Sequence, residues 1–203
     1  MLELVPTMEL PVVQPEPPER ADAARNRRRI LAAAEKLFAE RGVAATSMDA
    51  IAAEAGVGKG TLFRRFGDRA SLALAVLDQS TRALQDDAMH GAPPLGPGAL
   101  PCERLRAFGE AMLDHLEANA DILFDAEMAS GGGFTRSGPY AFYWLHIHHL
   151  VAEARPACDI DYAADVLLGA LAPQVFMHQR QARAMPLHRI KAGYADLVDR
   201  LLS

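Results

Sequence analysis

Residues 46–69 read TSMDAIAAEAGVGKGTLFRRFGDR, and the order of stops and starts in this stretch decides the fold. Thr46 or Ser47 can cap a helix over 47–55, because a side-chain oxygen there accepts an otherwise orphaned backbone N–H. Gly56-Val57-Gly58 interrupts that helix, and a very short one over 59–66 follows. Gly67-Asp68 ends it in turn, and Asp68 can cap a long helix running to about His90. Upstream, Ile30, Ala34, Leu37, Phe38 and Arg41 recur at helical spacing over 25–41, with Gly42 as a natural stop.

Helices over 25–41, 47–55 and 59–66, joined by tight turns, suit a helix–turn–helix whose third helix is presented to a major groove. Ile51, Ala55, Val57, Leu62 and Phe66 supply its small core. Lys59, Thr61, Arg64 and Arg65 then point outward, beside the bare backbone of Gly60. Lys and Arg neutralise phosphates or donate to guanine edges, Thr offers a hydroxyl or touches a thymine methyl, and Gly lets one backbone approach another.

The charge pattern agrees with this only when it is read locally. The 203-residue chain carries a formal charge of −5, with 50% hydrophobic and 23% charged residues, so a large core is available and a basic whole-protein character is not. Residues 20–82 hold 12 Lys/Arg against 7 Asp/Glu, a net +5, and the remainder is net −10. A basic block in an acidic chain is a local electrostatic footprint.

Residues 28–77 resemble, in register and almost without gaps, the DNA-binding domain of the TetR (tetracycline-repressor-like) transcriptional regulators. The run Ala53-Glu54-Ala55-Gly56-Val57, the run Gly58-Lys59-Gly60-Thr61-Leu62-Phe63 and the closing Phe66 carry the resemblance. It implies phosphate contacts from Thr46 and Ser47 and base or backbone contacts from Gly58, Lys59, Gly60 and Thr61. Phe63 stands where Tyr is usual, which removes a hydroxyl contact to phosphate. Arg65 stands where His is usual, which gives a permanent charge with a longer reach. Arg69 matches the usual basic residue opening the next helix. Arg64, Arg65 and Arg69 are read mainly as phosphate ligands, and Arg28, at the start of the resembling stretch, joins the DNA-binding set.

The expected architecture is all-α, with about nine helices. Residues 1–22 form a disordered arm, since the first 19 contain five prolines, four glutamates and no basic residue. Residues 23–83 form the DNA-binding domain, and 84–203 an effector-binding and dimerisation domain. Beyond a loop at 91–101, helices are expected over 102–118, 121–130, 139–155, 162–181 and 186–202. Residues 160–202 are nearly apolar all round in the first part and striped in the second, which is the pattern of helices buried on more than one side. The resemblance implies that this segment builds a homodimer. A dimer places two recognition helices about 34–36 Å apart, one turn of DNA.

Phe108, Met112, His115, Phe124, Met128, Tyr140, Tyr143, Trp144 and His148 form an apolar group with a few polar members, the composition of a small-molecule pocket. Phe134 and Phe142 lie in the same region. An apolar or aromatic effector is expected there. His146, His149 and Glu153 share a helical face from which His148 points away, which matches no dedicated zinc motif, so a solvated or interfacial face is expected and no metal or cofactor.

Cys102 and Cys158 lack paired spacing, no apolar run reaches the roughly 18 residues of a membrane span, and the N-terminus lacks a signal-peptide pattern. A reducing cytoplasm is the expected setting. No nucleophile–base motif, phosphate loop or paired-carboxylate site is visible, so an enzyme is not expected. The reading is a ligand-responsive DNA-binding repressor, released from a palindromic operator by its effector. The alternatives are a helical small-molecule-binding protein without operator binding, or a metal-dependent enzyme using the His146/His149 face.

Overall fold

The computed structural model describes residues 18–120, 122–123 and 138–202. Among them the helices are α1 (Pro18–Arg41), α2 (Met48–Ala55), α3 (Lys59–Phe66), α4 (Arg69–His90), α5 (Pro101–Ala118), α6 (Gly138–Ala154), α7 (Ile160–Ala170), α8 (Pro173–Met177) and α9 (Leu187–Leu202), and no strand is present. Helix α1 opens seven residues earlier than the pattern suggested. Pro18 suits a first helical position, where its missing N–H is no loss, and the alanines that follow favour helix. The rest of the expected N-terminal arm, and most of the expected 121–130 helix, lie outside the described residues.

Local chemistry sets the boundaries of the first four helices. Ser47 accepts the Ala50 N–H at 3.1 Å and so caps α2. Gly56 ends α2 with φ +61°, its N–H and that of Val57 returning to the last turn. The left-handed backbone at residue 56 favours glycine, and a side chain there also has to displace the end of Arg29. Asp68 accepts the Ser71 N–H at 2.7 Å and starts α4. That bond holds the Asp68 carboxyl below its usual range.

Two apolar cores follow. The first joins Ile30, Leu31, Ala34, Leu37 and Phe38 of α1 with Ile51, Ala52 and Ala55 of α2, Leu62 of α3, and Leu72 and Val76 of α4. The second joins Leu105, Phe108, Met112 and Leu116 of α5 with Tyr143, Ile147 and Leu150 of α6, Leu167 and Leu168 of α7, and Ile190, Tyr194 and Val198 of α9. Burying each such aliphatic side chain stabilises the fold by roughly 1.5–3 kcal/mol before entropy is counted. Helix α4 enters both cores, through Leu72 and Val76 at one end and Leu84 and Ala88 at the other. Ile122, just past α5, is buried in the first core.

The helix expected over 162–181 is broken. Helix α7 ends at Ala170, and α8 restarts at Pro173. The apolar periodicity runs through the break, but proline has no N–H to donate and its ring collides with the carbonyl four residues back. Helix α8 passes into a π turn, His178–Ala182, and Ala184 then takes φ +48°. Arg180 anchors this turn by bonding both carboxylate oxygens of Glu117 on α5 and the Met185 carbonyl. Among the described residues, no single helix is long and apolar enough to cross a membrane.

Candidate functional site

Helix α3 buries Leu62 and leaves Lys59, Gly60, Phe63, Arg64 and Arg65 exposed, with Thr61 half-buried. Gly58 precedes it as a cap without a side chain, so the first N–H groups of α3 have no side-chain oxygen over them. A Cβ added at Gly60 meets nothing within 4 Å. Glycine is therefore not demanded by packing within the chain, and it leaves bare backbone at the surface. Lys59 sits 5.9 Å from the centre of the Phe63 ring. Its ammonium also lies 2.7 Å from an Asp49 carboxylate oxygen on α2.

The two residues before α2 face opposite ways. Thr46 is buried, and its hydroxyl lies 2.8 Å from the Gly42 carbonyl and 3.2 Å from that of Leu37. A hydroxyl with one proton is committed to these inward partners. Ser47 is exposed, and its oxygen uses a lone pair on Ala50, which leaves its proton to donate outward. Arg69 donates to the carbonyls of Ala44, at 2.7 Å, and Thr46, at 3.4 Å, tying the start of α4 to the turn before α2.

Arg28 is exposed on α1, and its neighbours are engaged close to the bundle. Arg29 reaches the Gly56 carbonyl at 3.5 Å, and Arg27 lies over the Phe66 ring at 5.7 Å. Sequence reasoning missed Asp49, Arg27 and Arg29. The only local signal was the density of arginine ahead of Ile30, since the contacts join residues 10 to 39 apart in the chain.

The expected pocket residues fall into separate surroundings. Phe108, Met112 and Tyr143 are buried in the second core, and Tyr140 packs against it half-buried. His115 is within 3.4 Å of the Thr81 hydroxyl on α4 and, by its other ring nitrogen, 3.4 Å from the Asn119 amide. Burial pushes its pKa down to about 4. Burial likewise pushes Tyr143 up to about 12, against a bond to Thr81 that pulls it down. Tyr143, Thr81, His115 and Asn119 thus form a polar chain across an apolar core. Trp144 and His148 instead face α7, where the indole N–H meets Asp165 at 2.8 Å and the imidazole lies 3.1 Å from Asp161. Phe124, Met128 and Phe134 lie outside the described residues.

His146 corrects an expectation. It is not on a solvated face but 7% exposed, stacked on Phe142 at 6.0 Å with the Phe108 ring tilted against it at 4.9 Å. Its Nε2 is buried without a hydrogen-bond partner, and desolvation, with the nearby Arg104 and His149, pushes its pKa down to about 4. The helical spacing was read correctly, but α6 turns that face toward α5 rather than toward water. His149, one turn on, is exposed and pairs with Glu153 at 3.5 Å. Among the described residues no group of three metal-ligating side chains converges.

These features meet known proteins at two levels. The profile described as "Bacterial regulatory proteins, tetR family" matches residues 30–76, the span from the middle of α1 to the first third of α4. HTH-type transcriptional regulators of Staphylococcus aureus strains bovine RF122 / ET3-1 and USA300 are each 48% identical over 60 residues, 30% of this chain and 32% of theirs. The match thus spans about a third of the length of these curated relatives. Over nearly the whole chain, the fold is similar to a TetR-family transcriptional regulator from Pectobacterium atrosepticum, with a TM-score of 0.60, 26% identity and coverage of 90% of this chain and 95% of that one. A TetR-like regulator from Rhodococcus sp. RHA1 shares the fold with a TM-score of 0.55, at 24% identity and 87% and 95% coverage. The helix–turn–helix is thus matched by the tetR-family profile, and the architecture beyond that segment is similar to that of a TetR-family transcriptional regulator.

Proposed function

We propose that this protein is a dimeric, ligand-responsive transcriptional repressor that binds a palindromic DNA operator through α3. The observation that carries the reading is the exposed face of α3, where Lys59, Arg64 and Arg65 surround the uncovered backbone of Gly60. Arg64 and Arg65 neutralise phosphates, Lys59 and Thr61 read base edges, and Ser47 and Arg28 extend the backbone footprint. Arg69 and Thr46 act from behind, by holding the turn that presents Ser47. Phe63, 41% exposed, offers an apolar contact and a ring against Lys59. The DNA-binding unit is residues 23–83 and the effector and dimer unit 84–203, in a protein that works in the cytoplasm without catalysis.

Residues 160–202 are the proposed dimer surface. Gly193 lies inside α9 and Gly169 in the last turn of α7, each with nothing within 4 Å of where a Cβ stands, and Tyr162 and Val175 are exposed nearby in the chain. Glycine inside a helix costs about 1 kcal/mol relative to alanine, and close approach by a second copy offsets that cost. The effector site is the second core around Phe108, Met112, Tyr143 and His115. Effector binding there shifts α4, which is buried in both cores, and with it the spacing of the two recognition helices.

The test is a mobility shift with the DNA upstream of the protein's own gene, with and without a panel of aromatic compounds. The proposal expects a retarded complex at nanomolar protein that one class of compound dissolves. Retardation equal to that of random DNA contradicts it.

A further inference from the structure

We propose that Asp49 is a specificity-determining residue of the DNA interface, holding Lys59 on base edges and away from phosphate. The inference rests on the DNA-binding reading and adds to it a residue that carries no positive charge. The Lys59 ammonium lies 2.7 Å and 2.8 Å from the two carboxylate oxygens of Asp49, across the angle between α2 and α3. Both side chains are more than half exposed, so the pair sits on the surface and is not part of the core. Lys59 is the first residue of α3, and Asp49 is in the first turn of α2, beside the exposed Ser47.

This arrangement has two consequences at a polyanion. A lysine on its flexible stem is a point charge that goes to the nearest phosphate when nothing restrains it. Held by a carboxylate, the ammonium has part of its charge compensated, and its remaining N–H groups stay able to meet acceptors such as guanine O6 and N7. The carboxylate also sets a negative charge on the exposed surface beside Lys59, which lowers attraction to any phosphate backbone. The Phe63 ring, with its centre 5.9 Å from the ammonium, is a second neighbour of the lysine. Asp49 therefore subtracts from sequence-independent affinity and leaves the sequence-dependent part intact.

The experiment uses the full chain, with operator DNA selected by the wild-type protein and random DNA of equal length as competitor. Asp49→Asn keeps the shape of the side chain and removes its charge. The expected result is several-fold tighter binding to random DNA and a log–log salt slope steeper by about 1 there, as the released Lys59 takes a phosphate. The operator-to-random ratio falls about tenfold. Asp49→Glu, which restores the charge, recovers most of the ratio, and in a Lys59→Ala background Asp49→Asn no longer changes it. A ratio that Asp49→Asn leaves unchanged overturns the inference, as does an equal gain on both DNAs, whatever happens to the melting temperature. A wild-type protein that selects no DNA overturns the DNA-binding reading itself.

Discussion

The ring of Tyr194 on α9 occupies the space where a side chain on residue 109 of α5 stands, so Gly109 and Tyr194 seat the two helices against each other. Both residues are buried, and the Tyr194 hydroxyl has no hydrogen-bond partner, its ionisation pushed far up by that burial. Gly109→Ala improves helix propensity by about 1 kcal/mol and overpacks the contact at a cost of 1–3 kcal/mol, so a net loss of roughly 1 kcal/mol is expected. Urea unfolding of the variant, alone and combined with Tyr194→Leu, measures it. The double variant recovers part of the loss if the ring is the cause, and an unchanged midpoint in Gly109→Ala contradicts the packing described.

Two cations on α3 are expected to behave differently. Lys59→Ala weakens operator binding by about 1–3 kcal/mol more than it weakens random-DNA binding, because a base-edge contact is lost. Arg65→Ala weakens both DNAs alike and flattens the salt dependence by a log–log slope of about 1. Titrations at several salt concentrations distinguish these, and an Arg65→Ala slope equal to wild type removes Arg65 from the phosphate set.

Acid is expected to destabilise the second core before it protonates most carboxylates. His115 and His146 fall from the ordinary 6.5 to about 4 in the folded chain, through burial. The unfolded state therefore binds more protons between these values, and stability present above about pH 6.5 is lost as pH falls toward 4. Each imidazole contributes up to about 3 kcal/mol of that loss. Thermal unfolding at about pH 7 and about pH 5 shows a lower midpoint at the acid value, and His146→Phe, which keeps a ring and removes the titration, shrinks the gap. Equal midpoints in the wild-type protein contradict the neutral burial of both rings.

Gly169 separates dimerisation from folding. Inside one chain its Cβ position is open, so Gly169→Leu strengthens α7 by up to about 1 kcal/mol while filling the proposed contact with a second copy. Sedimentation is expected to show a folded monomer for the variant and a dimer for the wild type. A variant that sediments as the wild-type dimer moves the interface elsewhere.

The helix–turn–helix was legible in the sequence because its boundaries are local. Ser47, Gly56 and Asp68 each act on backbone within a few residues, and α3 falls at the expected 59–66. What lay hidden depends on packing across the chain. Nothing near His146 announces that α6 turns it against Phe108 and Phe142, and nothing near Trp144 places Asp165 opposite its indole. The inward turn of Thr46 depends on the carbonyls of Leu37 and Gly42. Pro173 was a visible stop, but the apolar periodicity on both sides masked it.

The central claim is that two copies of α3 read one operator, and selection of bound DNA from a random pool tests it most directly. The account predicts an enriched inverted repeat whose half-site centres lie about 34–36 Å, or a multiple of that, apart along the duplex. Enrichment of a single unrepeated half-site contradicts the dimer, and no enrichment at all contradicts the reading of α3 as a recognition helix.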